Sequence, residues 1–450
     1  MKRFVQIDRK TAYLLPPSVD EWLPEEHLAR FIVEVVDQLD LSAITNRYAG
    51  RGSDAHHPST MIALLVYGYA TGVFSSRKIE RASYDSIAFR YIAGNTHPDH
   101  SALAGFRKAY LKEFQDIFVQ VLMVAREMKL LKLGNVSLDG SKIKANASKH
   151  KALSYGHLLK IEAQLKEEVA ALLKQAEVFD NKPLDGMDIP AELARREERL
   201  KELSAAKARI EERARERNLE EQAEYKAKMA KREEMRKNGK KPKGKDPEPP
   251  TVGPKDKDQV NLTDEESRIM KASTGGFVQG YNAQAVVDTD SMLIVSAEVT
   301  QDCNDKKQLE PMLNKAKALP GELGVVTGVL ADTGYFSAHN VGHCQKQKVS
   351  PLIAMKRDHH NLPLAERFAA DSPCPETEDP VAQMAWRLKT KAGRALYALR
   401  KSTVEPVFGV IKNVMGFRQF SMRGLSKADG EWTLVALAWN LKRMNVLRMA

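Results

Sequence analysis

The sequence predicts an α/β protein: a mixed five-stranded sheet with helices, preceded by an all-α N-terminal part and interrupted by a charged helical hairpin or coiled coil. Three observations carry this. Apolar residues recur at helical spacing over the first ~120 residues. Beyond Gly134, β-rich runs alternate with helical stretches. From Ala191 to Lys240, 28 of 50 residues are charged, a composition that suits an extended helix better than a globular core.

In the N-terminal part, Leu28, Phe31, Ile32, Val35, Val36 and Leu39 draw the apolar stripe of one amphipathic helix. A second starts at His57-Pro58-Ser59-Thr60 and runs through Met61 to Tyr67, since Pro58 or Ser59 suits a helix start. Ser75 to Arg81 opens a third, and Asp99-His100-Ser101 can cap a fourth that carries Phe106, Arg107, Lys108 and Tyr110. Short helices with basic residues near their starts fit a helix-turn-helix-like DNA-binding module, and equally an ordinary helical bundle.

The sheet begins with a short run, Val136 to Asp139, that Gly140 is expected to end. Phe277 to Val287 and Met292 to Val299 read as a hairpin around Asp288-Thr289-Asp290-Ser291. A helix (about Lys306 to Leu319), a strand (Gly324 to Ala331), a helix (Ala338 to Gln347), a strand (Val349 to Met355) and a helix (Thr403 to Met415) complete the order. Between the first two strands, Leu158, Ile161, Leu165, Val169 and Leu172 form one helical stripe, and Pro183 to Pro190 breaks it. Leu193, Leu200, Leu203 and Ile210 follow at heptad-compatible intervals. Asn238 to Asp258, rich in Pro and Lys, reads as a linker. The insertion is either an arm for dimerisation or DNA contact, or a solvated spacer. The organisation expected is therefore helical over 1–130, the first part of the sheet core over 131–154, the insertion and linker over 155–260, and the rest of the core with basic C-terminal helices over 261–450.

Composition narrows the partners. The chain has 450 residues, 70 Lys+Arg and 59 Asp+Glu, a net charge of +11. From Val381 to Ala450 there are thirteen Lys+Arg and three acids, so nearly all of the excess sits at the C-terminal end. A concentrated basic segment suits a polyanion, because neutralised phosphates release condensed counterions. Three cysteines, Cys303, Cys344 and Cys374, are too few for a disulfide scaffold and point to a reducing compartment such as the cytoplasm. No secretory leader is expected from Met1 to Asp8, where charge interrupts any apolar run. Met61 to Phe74 falls short of the roughly 20 apolar residues that span a bilayer.

Two aspartates stand where strands are expected to end: Asp139 in Leu138-Asp139-Gly140-Ser141 and Asp332 in Ala331-Asp332-Thr333-Gly334. Taken alone, each fits an ordinary turn residue better than a site residue. Glu405 lies in Lys401-Ser402-Thr403-Val404-Glu405-Pro406. Ser402-x-x-Glu405 is a capping-box pattern, yet Lys401, Glu405, Phe408 and Lys412 at helical spacing would place a carboxylate between two lysines on one face. Three carboxylates suit Mg²⁺, a hard cation, and two such ions roughly 3.5–4 Å apart suit phosphodiester chemistry.

Five blocks resemble those of bacterial insertion-sequence DDE transposases. They are Asp139-Gly140-Ser141-Lys142-Ile143-Lys144-Ala145-Asn146-Ala147-Ser148, Thr263 to Lys271, Gly280-Tyr281-Asn282-Ala283-Gln284, Ala331-Asp332-Thr333-Gly334-Tyr335-Phe336 and Val404-Glu405-Pro406-x-Phe408. His57-Pro58 through Ser76-Arg77 and the closing Leu437-Ala438-Trp439-Asn440-Leu441 extend the likeness over nearly the whole chain. The resemblance implies a ribonuclease H-like core in which Asp139, Asp332 and Glu405 hold two Mg²⁺ ions, with Mn²⁺ able to substitute. It implies cleavage and strand transfer at transposon ends, with DNA ends and target DNA as partners, a homodimer, no membrane, and a cytoplasmic, nucleoid-associated location. Relatives carry a Tyr, Arg, Glu, Lys signature around the glutamate. Tyr397 and Arg400 have its first spacing, but Arg400 is one residue too far from Glu405. Lys401 has the second spacing and Lys412 the third. Arg400 and Lys401 thus both stand as the DNA contact beside Tyr397 and Lys412.

Other functions fit less well. Asp332-Thr333-Gly334 is also an aspartic-protease triplet, but such enzymes need two and the chain has one. His343, Cys344, His359, His360 and Cys374 lack the paired spacing of a zinc site. A non-catalytic coiled-coil DNA-binding protein is the alternative of a different class, and it leaves the acidic blocks as coincidence.

Overall fold

The computed structural model describes residues 18–48, 55–179, 189–239, 241–242, 244–272, 275–355 and 370–449. Contacts divide the chain into two compact units, one of Met1–Lys144 with Tyr281–Ala450, the other of Ala145–Gly280.

The first unit starts with seven helices: α1 (Leu28–Val36), α2 (Ser42–Thr45), α3 (Pro58–Thr71), α4 (Ser76–Asp85), α5 (Ile87–Ile92), α6 (His100–Ala109) and α7 (Glu113–Glu127). The starts follow capping chemistry. His57 caps α3, accepting the Ser59 N–H with Pro58 in the first turn, and Asp99 caps α6, accepting from Ser101 and Ala102. Helix α3 is apolar on all sides and is accordingly buried along almost its whole length.

Strand β1 (Leu133–Lys144) comes next. The expected stop at Gly140 is not observed: the strand runs on four residues, so Asp139 lies within it rather than at its end. In the second unit, β2 (Ala152–Ser154) pairs antiparallel with β3 (Gln259–Asn261), and α8 (Tyr155–Phe179) packs along α9 (Ile189–Lys237). Leu158, Leu203, Ala206, Ile210 and Val260 form the core of this unit, with Ile161 and Leu165 of the expected stripe against it. The expected break at Pro183 to Pro190 lies mostly outside the described residues. Beyond Asn218, which is buried, α9 is largely solvent-exposed. β4 (Arg268–Lys271) pairs antiparallel with Phe277 to Gly280, the start of β5 (Phe277–Asp288).

Back in the first unit, β5 pairs antiparallel with β6 (Ile294–Thr300), as the hairpin pattern predicts. Helix α10 (Leu309–Lys317), β7 (Gly324–Ala331), α11 (Ala338–Lys346) and β8 (Ser350–Ile353) follow. The strands stand in the order β6, β5, β1, β7, β8. β1 and β7 are parallel, as are β7 and β8. The Thr289 N–H donates to the Asn135 carbonyl at 3.1 Å while Gly140 lies beside Gln284, so β5 and β1 run in opposite directions and the sheet is mixed. Gly324 opens β7 at φ +104°, where a Cβ would meet the Leu133 backbone at 2.8 Å.

Helices α12 (Pro380–Lys389), α13 (Lys391–Ser402), α14 (Val404–Gly409) and α15 (Leu425–Leu447) close the chain. α15 is the central helix of the unit, with every residue from Gly430 to Leu441 buried. It packs on α3, α7 and β6. Asn440 holds the edge strand by accepting the Ile294 N–H and donating to the Ile294 carbonyl, both at 2.8 Å. The basic tail is therefore not simply a charged surface: Lys442 and Arg443 donate to the carbonyls of Ala70 and Ser291. Glu431, fully buried, accepts from the Tyr69 hydroxyl at 2.7 Å and from Ser421, and Arg107 donates to Tyr69 at 2.8 Å. This ties α3 and α6 to α15. Among the described residues, no single helix is long and apolar enough to cross a membrane.

Candidate active site

The parallel register of β1 and β7 places Leu138 opposite Ala331, so Asp139 and Asp332, each the next residue, come side by side. Asp332 directly follows β7 and caps a short 3₁₀ turn, Thr333–Tyr335, by accepting the Gly334 N–H at 2.9 Å. Asp139 accepts the Gly140 N–H at 2.8 Å.

Glu405 is brought in by a break in the last helical segment. The single helix expected over Thr403 to Met415 is split: α13 ends at Ser402, Thr403 sits at φ −116°, ψ −85°, and α14 passes into a π-helical stretch at Val410–Val414. The expected capping box does not form, because Ser402 Oγ donates back to the Leu399 carbonyl at 3.1 Å. Instead Glu405 pairs with Arg400, whose other nitrogen reaches Asp139 Oδ2 at 3.2 Å. The two ion pairs bring Asp139 and Glu405 to one guanidinium, and the kink takes up the one-residue surplus between Arg400 and Glu405. Lys401, one residue on, is exposed and makes neither contact. Tyr397, one turn before Arg400 on α13, is half-buried and touches it. Lys412 reaches the site through the π-helical stretch: its ammonium donates to Ser141 Oγ and lies 3.4 Å from the Lys142 carbonyl.

Electrostatics follow from this crowding. Burial pushes the Asp139 carboxyl up to about 6; the Gly140 N–H and Arg400 pull it down, and the negative charges of Asp332 and Asp305 push it further up. Desolvation therefore outweighs the ion pair. For Arg400, burial works to lower its pKa, but Asp139, Tyr397 and Glu405 outweigh it and leave it raised. Burial lowers Lys412, with Asp139 working the other way.

Several polar residues at the site escaped the sequence reading. Asp305, in the loop after β6, accepts from Asn282 at 2.7 Å, Gln284 at 2.8 Å and Lys142 at 3.2 Å. Tyr335, fully buried, donates to Gln284 Oε1. Asn282 and Gln284 stand inside Gly280 to Gln284, where polar residues in an otherwise buried strand are the signal, and Tyr335 stands inside Ala331 to Phe336, in the turn after β7. Asp305 lies in no such block.

The donors suit a hard cation: Asp139, Asp332 and Glu405 offer oxygen only, and a single cationic group already reaches two of them. Among the described residues, no three His, Cys, Asp or Glu side chains are grouped closely enough to form a metal cluster as they stand, and Arg400 lies between Asp139 and Glu405. Of the cysteines, Cys344 is buried, which pushes its thiol up to about 12, and Cys303 and Cys374 are exposed. His359 and His360 lie outside the described residues.

Residues 237–441 match the family model described as Transposase DDE domain, and residues 17–109 match the one described as Transposase domain (DUF772). The chain belongs to the insertion-sequence DDE transposases. The DDE match takes in Asp305, Asp332, Arg400 and Glu405 of the transposase but begins after Asp139, so Asp139 enters the site through the β1–β7 register. No curated protein and no solved structure matches the chain.

Proposed function

We propose that this transposase binds the ends of its element and carries out metal-dependent strand cleavage and strand transfer, with Asp139, Asp332 and Glu405 as the ligands of two Mg²⁺ ions. The observation that carries the reading is that strand register sets Asp139 beside Asp332 while Arg400 links Asp139 to Glu405, three carboxylates distant in sequence. The sheet order β6, β5, β1, β7, β8, antiparallel on one side and parallel on the other, supports a ribonuclease H-like core.

Bound at these carboxylates, Mg²⁺ would activate the attacking oxygen and stabilise the leaving one. The residues of the chain supply the rest. Asp139 and Asp332 are oriented by backbone N–H groups and need no large motion to serve as ligands. Arg400 leaves its carboxylates for a DNA phosphate, because a guanidinium forks onto phosphate as well as onto carboxylate. Lys412, already beside Ser141, reaches a second phosphate and orients the strand for in-line attack. Tyr397 supports Arg400, and Lys401 offers an exposed charge to the backbone. The N-terminal helices and exposed basic side chains provide affinity separate from catalysis, and the exposed end of α9 offers a second copy a surface for a homodimer.

Incubating purified protein with DNA carrying the element ends in Mg²⁺ tests this. Nicking is expected, replaced by binding without cleavage in Asp139→Ala, with affinity falling steeply as salt rises. Cleavage at the wild-type rate by Asp139→Ala would overturn the assignment. DNA binding without cleavage by the wild type would favour the non-catalytic coiled-coil alternative.

A further inference from the structure

We propose that Asp305, Gln284 and Tyr335 form a positioning strut that sets the separation of Asp139 and Asp332; this rests on the reading of those aspartates as metal ligands.

The strut is a chain of three hydrogen-bonded groups. Gln284 sits on β5, the strand beside β1. Its Nε2 donates to Asp305 Oδ1 at 2.8 Å and its Oε1 accepts from the Tyr335 hydroxyl. A carboxylate can only accept, so the amide nitrogen must face Asp305 and the oxygen faces the phenol. Asp305 is fixed in turn by the Asn282 amide and the Lys142 ammonium, which also balances its charge.

Each end of the strut rests on the backbone that orients one aspartate. At the first end, a Cβ on Gly140 would meet Gln284 Nε2 at 2.1 Å and Asp305 Oδ1 at 2.6 Å, so these groups press on the peptide whose N–H holds Asp139. At the second, Tyr335 closes the 3₁₀ turn whose Gly334 N–H holds Asp332, and Asp305 Oδ2 lies 3.8 Å from where a Gly334 Cβ would be. One oxygen of Asp305 thus faces Gly140, whose N–H holds Asp139, and the other faces Gly334, whose N–H holds Asp332. Two-ion chemistry tolerates only small errors in ligand placement, on the order of 0.5 Å. Partners that orient metal ligands are worth roughly 10–100-fold in metal affinity or activity.

The test uses the full chain without DNA and reads Mn²⁺ binding by electron paramagnetic resonance, beside single-turnover nicking at varied Mn²⁺. Tyr335→Phe and Asp305→Asn are expected to weaken Mn²⁺ binding about 10–100-fold. They should slow nicking at low Mn²⁺, recover at saturating Mn²⁺, and leave DNA affinity unchanged. A general loss of structure would instead lower DNA affinity and would not be rescued by metal. Wild-type Mn²⁺ binding in both variants overturns the strut. Loss at Asp305→Asn that no Mn²⁺ concentration restores also overturns it, because Asp305 would then be a ligand itself. Asp139→Ala separates the two levels: unchanged Mn²⁺ binding there overturns the ligand assignment and the strut with it, whereas loss there beside wild-type behaviour of the strut variants overturns the strut alone.

Discussion

Replacing Asp139 by Asn should make the metal-free protein more stable while removing its activity. Burial raises the Asp139 carboxyl from the ordinary 3.8 to about 6, so the folded protein resists ionising a group that the unfolded chain ionises freely. Because the folded-state pKa lies above the unfolded one, the contribution of Asp139 to stability is greatest below about pH 4, falls as pH rises from there to about 6, and is level above that. The difference between 3.8 and about 6 corresponds to about 3 kcal/mol at neutral pH, with the Arg400 attraction already included. Asparagine keeps the shape and can still accept the Gly140 N–H, but carries no charge to desolvate. Urea unfolding in EDTA at pH 7 should therefore give a higher midpoint for Asp139→Asn, and the gap between variant and wild type should close as pH is lowered towards 4. Equal or lower stability of the variant at pH 7, or a gap that does not shrink in acid, would refute the claim that desolvation dominates at this carboxylate. Mg²⁺ should reverse the order by stabilising only the wild type.

Gly140→Ala forces a methyl group against Gln284 and Asp305 and should cost about 1–3 kcal/mol, read as a lower urea midpoint, with a loss of nicking. Tyr69→Phe deprives Arg107 and Glu431 of their shared hydroxyl and should destabilise by about 1–3 kcal/mol in the same assay, with Mn²⁺ binding unchanged in the protein that remains folded. Arg400→Gln should strengthen Mn²⁺ binding to the DNA-free protein by removing the cation between Asp139 and Glu405, yet slow single-turnover nicking. Lys412→Ala should slow nicking about tenfold or more while shifting the DNA binding isotherm little; wild-type cleavage at saturating DNA would make it an ordinary structural lysine.

The sequence by itself located the main strands and several helices in their order, though not α2, α5, α7 or the short strands β2, β3 and β4. Period-3.6 stripes and caps located α1, α3 and α6, and β-branched runs located β5, β6 and β7, because backbone geometry and the need to bury one face act over a few residues. The family blocks named Asp139, Asp332 and Glu405, since a motif preserves residue type and spacing. Tertiary structure decided which of these residues meet, and through which partners. β1 runs through Gly140 because the missing Cβ admits Gln284 and Asp305 from outside the strand, which no local pattern records. Arg400 rather than Lys401 meets the carboxylates because a backbone kink at Thr403 reorients the helix, and spacing counts assume an unbroken one. The basic C-terminal helix lies in the core, with Asn440 and Glu431 buried, because net charge counts residues without saying which way they face. Asp305 acquires its role solely from the donors that the fold gathers around it, Asn282, Gln284 and Lys142, brought together by strand pairing across 163 residues of chain.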